Sequence, residues 1–393
     1  MGAMKNDWMA KANNFDFIRL ALAVLVIYSH SFPLGLGSEQ SEPFHAFTRG
    51  QMTGGAVAVD LFFVMSGFLI SASAERSSSV FSYLKKRVAR IYPAFLVSAV
   101  LTAVIVLPSI SATIVGTSWW MRFGDFVLQT LRLREFDYTG AFLSNPYPGA
   151  INGSVWSIQF EFWCYIGVAF LMTLGLLRRR AWLLGIFVLA VAVSVAFQVE
   201  GWVFGGKMLG VVLSSPQLWA RLLPLYLAGV VFYLYRDRIR MSGWLALASV
   251  VLLVVAARVP YGCAALFPFA GTYLVFYLAF ASWLPLHAAG RFGDFSYGTY
   301  LYAFPIMQLL MRSIGHPVAP VLLFAYATPL TLIAAVASWY GVERRFLRRG
   351  RRKESLEAVI EKHTSRMDSV QTLAVSGARP VAAATSGTGS IDS

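Results

Sequence analysis

Ten long apolar runs dominate this sequence of 393 residues. Each run is close to the roughly 20 residues that a helix needs to cross a bilayer core of about 30 Å. Hydrophobic residues make up 57% of the chain and charged residues only 13%, well below the share usual in globular proteins. The pattern predicts an all-α polytopic membrane protein. It excludes a disordered chain, a soluble enzyme and a nucleic-acid-binding domain with a charged surface. The predicted spans are residues 15–33, 55–74, 92–113, 155–177, 181–199, 218–235, 242–259, 263–284, 296–314 and 320–341.

Basic residues are distributed unevenly between the connecting segments. When these segments are assigned alternately to the two sides, 25 of the 33 Lys and Arg residues fall on the side of the N-terminus. Because Lys and Arg concentrate on the cytoplasmic side of membrane proteins, both termini are predicted to be cytoplasmic. Residues 1–14 then form a cytoplasmic N-terminus and 15–347 the transmembrane domain. Residues 348–393 form a cytoplasmic tail that is first basic and then disordered.

The first span carries three ionisable residues, Asp16, Arg19 and His30. Eleven residues separate Arg19 from His30, so the two side chains lie on nearly the same helix face, roughly 16 Å apart along the axis. Ionisable groups at membrane depth are costly and mark functional sites. Two simpler alternatives are open. Arg19 can extend to the interface and pair with Asp16, and His30 can bond to solvent or to a neighbouring span.

Two carboxylates lie inside later spans. Asp60 is at a depth similar to that of His30, where a carboxylate can raise the basicity of an imidazole and fix its tautomer. Glu161 lies between Ser157 and Tyr165 in a polar stripe with a spacing of four residues along an otherwise aromatic helix. A Glu at this depth is a candidate functional residue, and the alternative is a structural ion pair with an Arg.

Arg87 and Arg90 lie in the basic stretch that precedes the third span. Their spacing places both side chains on one helix face, where two guanidinium groups can hold phosphates through bidentate hydrogen bonds. The same stretch can equally be a juxtamembrane basic cluster that is attracted to anionic lipid.

The two cysteines, Cys164 and Cys263, lie in apolar stretches about a hundred residues apart. They match no CxxC or zinc-ligand spacing. We therefore expect neither a disulfide framework nor a metal site.

Six short motifs occur in a fixed order along the chain, and together they resemble the integral-membrane acyltransferase family 3. The resemblance covers residues 15–347. The motifs are Arg19 with His30, the segment from Asp60 to Ile70, Arg87-x-x-Arg90-Ile-Tyr-Pro, Trp156-Ser-Ile-x-x-Glu161, Ser296-Tyr-Gly-x-Tyr-Leu and Val342-Glu343-Arg.

The resemblance implies transfer of an acyl group, usually acetyl, from cytoplasmic acyl-CoA to a hydroxyl group of a carbohydrate or another cell-envelope molecule. It implies that Arg19 and His30 are required and that Arg87 and Arg90 bind the CoA donor. It further implies a multi-pass protein of the bacterial inner membrane.

The chain departs from many members of the family in two places. Some relatives carry a His in the motif that reads Tyr302-Ala-Phe-Pro305 here, so His30 is the best-placed imidazole. Many relatives carry a C-terminal extracytoplasmic hydrolase-like domain. The 46 residues after 347 are too few and too polar for such a domain, and none is expected.

These residues suggest an arrangement for the reaction. The donor phosphates lie at Arg19, Arg87 and Arg90, and the pantetheine arm brings the thioester to His30, which is oriented by Asp60 or Glu161. His30 then acts as a general base or accepts the acyl group itself. A polysaccharide or lipid-linked sugar transporter is the competing prediction, and a sugar polymerase is a third. The acceptor, the acyl group and the oligomeric state are left open.

Overall fold

The computed structural model describes residues 13–106, 119–134, 141–202 and 214–347. Residues up to Arg345 belong to one compact unit, and Phe346 begins a second. The predicted N-terminal segment 1–14 lies outside the described residues except for Asn13 and Asn14. The predicted tail 348–393 lies wholly outside them.

Throughout the described residues the regular structure is helical, with no strand. One π-helical turn follows the fourth helix (Thr102–Val106) and another follows the twelfth (Trp339–Glu343). The helices are α1 (Phe15–Leu36), α2 (Pro43–Phe47), α3 (Gly54–Glu75), α4 (Val80–Leu101), α5 (Trp119–Leu131), α6 (Trp156–Thr173), α7 (Arg180–Glu200), α8 (Pro216–Tyr235), α9 (Gly243–Arg258), α10 (Gly262–Ala279), α11 (Ser296–Ile314) and α12 (Pro320–Ser338).

A long helix lies at each of the ten predicted spans, and the largest difference concerns α4. Hydropathy alone predicts that this span begins at residue 92, but the helix begins at Val80. Ser79 caps it by accepting a hydrogen bond from the backbone N–H of Ser82 at 3.1 Å. Arg87 and Arg90 are therefore helical residues inside α4 and not part of a preceding loop.

Seven of the described helices are long and apolar enough to cross a membrane. They are α1, α3, α4, α7, α8, α10 and α12. The shorter α9 is also apolar, whereas α6 carries Gln159 and Glu161, and α11 carries three Tyr residues with Gln308 and Arg312. The prediction of an all-α polytopic membrane protein is confirmed. The number of spans and the cytoplasmic position of both termini stay predictions.

Two glycines let α3 and α8 pack with their backbones in contact. A Cβ atom at Gly67 would lie 2.0 Å from the carbonyl oxygen of Tyr226, and one at Gly229 would lie 1.9 Å from that of Val64. Both distances are far shorter than a van der Waals contact, so each position requires glycine. Close approach at small residues is a common way for membrane helices to associate. This crossing fixes α3, which carries Asp60 and Ser66, at the centre of the bundle.

Contacts between loops and helix ends distinguish two ends of the bundle. At the arginine end, which contains Arg19, the Asn14 side chain donates to the carbonyl oxygen of Leu278 at 3.1 Å. At the histidine end, to which α1 leads through His30, the Gln51 side chain donates to the carbonyl oxygen of Val259 at 3.1 Å. The candidate site residues are distributed between these two ends.

Candidate functional site

One carboxylate joins two of the predicted donor-binding arginines. Asp294, two residues before α11, forms ion pairs with both Arg19 of α1 and Arg90 of α4. It also accepts a hydrogen bond from the backbone N–H of Ser296. Burial by itself would raise the pKa of the Asp294 carboxyl, but the charges of Arg19 and Arg90 outweigh burial and hold the pKa below its ordinary value. Asp294 is therefore ionised at neutral pH and fixes both guanidinium groups.

Arg90 has a second carboxylate nearby. Its Nη1 lies 3.5 Å from Oε2 of Glu343, which is only 3% exposed. Ser338 donates to the other oxygen of Glu343 at 3.2 Å. The Glu343 side chain comes from the π-helical turn that follows α12. Arg90 thus links α4 both to the start of α11 and to the end of α12.

Arg87 lies one turn before Arg90, and not all of its N–H donors are used. Its Nη2 donates to Ser73 of α3 at 3.2 Å, and its guanidinium carbon lies 5.9 Å from the ring centres of both Tyr83 and Tyr165. Its Nε is buried and has no hydrogen-bond partner among the described residues. Leaving an N–H of a charged group buried and unpaired is costly, so this atom is suited to a ligand that accepts hydrogen bonds.

Glu161 is connected to Arg87 through Tyr165, which contacts both side chains. One of its oxygens accepts hydrogen bonds from Ser66 at 2.9 Å and from the Tyr165 hydroxyl at 2.6 Å. The ring of Tyr165 is one of the two that face Arg87. Among the described residues, Glu161 accepts hydrogen bonds from hydroxyl groups and forms no ion pair. The alternative role, a structural ion pair with an Arg, is therefore not seen among them.

His30 lies apart from these groups, farther along α1. Its half-buried ring packs edge-on against Phe304 of α11, with 5.4 Å between ring centres. Among the described residues, neither ring nitrogen has a hydrogen-bond partner. Because α1 is a continuous helix from Phe15 to Leu36, Arg19 and His30 keep the spacing that the sequence predicts.

The segment that precedes α6 forms part of the surroundings of His30. The ring of Tyr147 lies 6.2 Å from that of Phe304, the neighbour of His30. Asn145 donates to the side-chain oxygen of Gln308 at 2.8 Å, and Gln308 donates to the carbonyl oxygen of Tyr147 at 2.9 Å. Polar bonds to α11 therefore hold this segment near the imidazole.

Asp60 is paired with an arginine that the sequence analysis did not single out. The carboxylate of Asp60 accepts from Nη2 of Arg221 of α8 at 2.7 Å, and the same nitrogen donates to the carbonyl oxygen of Ala56 at 3.2 Å. Asp60 is 4% exposed. The structure thus gives His30 neither Asp60 nor Glu161 as a partner, although one or the other was expected to orient it.

Sequence reasoning assigned no role to Asp294 or Arg221. The signal for both was a charge that needed a counter-ion. Asp60 inside an apolar run requires a cation, and Arg221 is the basic residue inside α8. Among the described residues, no group of three or more potential metal ligands is present.

The match to a family model covers most of the chain. The model described as an acyltransferase domain matches residues 13–340. An O-acetyl transferase of Shigella phage Sf6 is 33% identical over 368 residues, which are 89% of this chain and 100% of the relative. Nodulation protein 10 of Rhizobium leguminosarum bv. viciae is 26% identical over 343 residues, which are 80% of this chain and 89% of the relative.

A third relative matches over a shorter region. Acyltransferase MdmB of Streptomyces mycarofaciens is 30% identical over 148 residues, 36% of this chain and 35% of the relative. No solved structure gives a significant match.

The fold and these matches define a helical membrane acyltransferase. The chain belongs to acyltransferase family 3, as the motifs predicted. It is an acyltransferase, which decides against the transporter and the polymerase.

Proposed function

We propose that the protein transfers an acyl group, most simply acetyl, from acyl-CoA at the arginine end to a carbohydrate hydroxyl group at the histidine end. The observation that carries this proposal is the buried, unpaired Nε of Arg87. It lies on the helix that also presents Arg90. The relative named O-acetyl transferase supports acetyl as the acyl group.

The donor is a polyanion, and three guanidinium groups are available to it. Each guanidinium has five N–H donors, so the bonds of Arg19 and Arg90 to Asp294 leave further donors for phosphate oxygens. Arg87 adds its unpaired Nε. We propose that Glu161 positions Arg87 through Tyr165, and that Asp294 and Glu343 hold the arginines in place before the donor binds.

The transfer requires a proton acceptor near the thioester, and we assign this role to His30. As a general base, a ring nitrogen of His30 takes the proton from the acceptor hydroxyl group while the hydroxyl oxygen attacks the carbonyl carbon of the thioester. The carbon–sulfur bond then breaks, and the CoA thiolate recovers the proton from the imidazolium. As a nucleophile, His30 instead forms an acyl-imidazole and releases CoA, and the hydroxyl then attacks that intermediate. We propose that Asp60 acts indirectly, by holding Arg221.

The proposal also includes the acceptor and the location of the protein. The acceptor is a glycan or another exported molecule with a free hydroxyl, and the protein lies in the inner membrane of a bacterium. The proposed reaction needs no metal, because proton transfer and acyl transfer need only His30 and the two substrates. The proposed partners are thus acyl-CoA, the glycan and the lipid bilayer.

The test uses the full chain, purified in nanodiscs, with acetyl-CoA labelled in the acetyl group. Thermal stabilisation of the protein by CoA and by desulfo-CoA, but not by free pantetheine, reports binding through the phosphates. Label that stays on the protein in the absence of acceptor supports the nucleophile, and its absence favours the general base. Equal heat protection of the Arg87→Gln variant and the parent would contradict the donor site.

A further inference from the structure

An open cavity at the histidine end is separate from the residues assigned to the donor. Its volume is about 570 Å³, and it is bounded by the α2–α3 connection, the end of α7 and the α9–α10 connection. The charged, amide and aromatic side chains that line it include Arg49, Gln51, Gln198, Trp202, Arg258 and Tyr261.

A smaller cavity of about 90 Å³ continues from it toward the interior. Gln51 and Gln198 line both cavities, and the smaller one also contains Asp60 and Arg221. The two cavities are therefore adjacent, and the smaller one reaches the ion pair of Asp60 and Arg221. Polar lining of this kind is expensive inside a membrane bundle unless water or a hydroxyl-rich ligand uses it.

Two arginines give the open cavity a positive charge. Nη1 of Arg49 donates to the backbone oxygen of Arg258 at 3.3 Å, and the guanidinium of Arg258 lies 4.4 Å from the ring centre of Phe47. Neither guanidinium is paired with a carboxylate among the described residues. Glu200, at the end of α7, is exposed and does not line the cavity. Within the part of the chain that the structure describes, most of the N–H donors of both arginines thus have no acceptor.

The backbone at this cavity is held in an unusual conformation. Arg49 has φ 55 and Tyr261 has φ 59, both in the left-handed region that favours glycine. Gln51 stabilises the arrangement because its side chain donates to the carbonyl oxygen of Val259 and accepts from the N–H of Cys263 at 3.1 Å. Strained residues that the surrounding structure enforces are concentrated at binding sites.

Aromatic rings complete the lining. Trp202 and Tyr261 both line the cavity, and their side chains are 46% and 41% exposed. The C–H faces of a sugar ring pack on such rings, while its hydroxyl groups bond to amides such as Gln198. Unpaired guanidinium groups, amides and aromatic rings together suit a sugar that carries a negative charge.

We infer that this cavity binds the acceptor as an anionic glycan, with Arg49 and Arg258 holding a carboxylate or phosphate group and Trp202 or Tyr261 packing on the sugar ring. The inference rests on the proposed function, since it names the substrate class for the acceptor side of the same enzyme. The anionic group belongs either to the glycan itself or to the diphosphate of a lipid carrier.

The experiment measures binding to the full chain in nanodiscs of zwitterionic lipid. The probes are a glucuronate-containing disaccharide, a neutral disaccharide of the same linkage and the neutral disaccharide attached to a prenyl diphosphate. Preference for the first probe assigns the anion to the glycan, and preference for the third assigns it to the carrier. Equal binding of all three, or binding of none, would overturn the inference.

Substitutions assign the binding to the two arginines. Arg49→Gln and Arg258→Gln should each weaken binding of the anionic probe by about tenfold or more and leave the neutral disaccharide unaffected. Arg258→Lys keeps the charge and should retain most of the affinity. Arg312→Gln removes another exposed arginine near the end of α11 that does not line the cavity, and it should change nothing. Loss of affinity in Arg312→Gln equal to that in Arg49→Gln would contradict a localised site.

Two further outcomes separate the alternatives. If the effect of Arg49→Gln appears only when anionic lipid is added to the nanodisc, the cavity binds a lipid headgroup and the inference is wrong. Heat protection by CoA, measured on the same samples, tests the donor site independently. If the protein binds CoA and transfers acetyl but does not bind the anionic probe, the proposed function is retained and the inference of an anionic glycan is refuted.

Discussion

Arg90 of α4 forms an ion pair with Asp294, two residues before the start of α11. The same carboxylate pairs with Arg19 of α1, so three helices that are distant in sequence meet at one charged group. Arg19 and Arg90 were predicted to hold donor phosphates, and the structure shows what holds the arginines. The cluster formed by Arg19, Arg90 and Asp294 thereby connects the stability of the arginine end with donor binding.

Asp294→Asn should destabilise the protein and weaken donor binding. It leaves two largely buried guanidinium groups without their shared counter-ion, which we expect to cost about 2–4 kcal/mol. The cost is below that of a fully buried pair because the Arg19 side chain is 24% exposed. The midpoint of thermal unfolding in detergent measures the effect. Asp237→Asn, which removes an exposed acid at the same end of the bundle, is the matched control and should leave the midpoint unchanged.

The contribution of Asp294 should depend on pH in a defined direction. Despite the opposing effect of burial, Arg19 and Arg90 hold the pKa of Asp294 below that of the unfolded chain. A depressed carboxyl pKa stabilises the fold above the unfolded value of about 3.9, and this stabilisation is lost as the pH falls further. The difference in unfolding midpoint between parent and Asp294→Asn should therefore be constant from about pH 5 to 8 and shrink below about pH 4. A difference that grows on acidification would contradict this account.

Arg87→Gln should raise the KM for acetyl-CoA by about tenfold or more, because a hydrogen bond between charged groups contributes about 1.5–3 kcal/mol. Arg87→Lys keeps the charge but loses the Nε donor, and we expect an intermediate KM. Initial rates at varied acetyl-CoA concentration provide the measurement. Lys85→Gln removes an exposed charge from the same helix and serves as the control. An unchanged KM in Arg87→Gln would remove this arginine from the donor site.

The pairing of Asp60 with Arg221 can be tested by a double-mutant cycle. Arg221→Gln should cost about 3–5 kcal/mol, since it leaves the buried Asp60 carboxylate without its partner. Asp60→Asn should cost less, because the Arg221 side chain that it leaves unpaired is 31% exposed. The double variant should cost less than the sum of the two, because it leaves no unpaired charge. Unfolding midpoints of the four proteins give the coupling. Additive effects would mean that the two side chains act independently.

The sequence was sufficient for the helices but not for the connections between charged residues. Apolar runs placed α1, α11 and α12 to within a few residues, because hydropathy reports burial in lipid directly. The helical spacing of Arg19 and His30 was also predictable, since both lie on one continuous helix. The N-terminal turns of α4 were missed because they are basic, and a cap at Ser79 rather than hydropathy determines where that helix begins.

Contacts between distant segments could not be read from spacing. Asp60 and His30 were judged to lie at similar depth, and depth alone does not say which side of a helix a residue faces. Asp60 faces α8 and pairs with Arg221, whereas His30 packs against Phe304 of α11. The three-dimensional arrangement of α1, α3, α8 and α11 decides between these partners.

The central claim is that His30 performs the transfer, and acetyl transfer by a His30→Ala variant in nanodiscs tests it most directly. The variant should still be protected against heat by CoA, because the arginine end is unaltered. Its rate of acetyl transfer should fall by at least about a hundredfold, as expected when a general base or nucleophile is removed. Transfer at the parental rate by a well-folded His30→Ala protein would contradict the account.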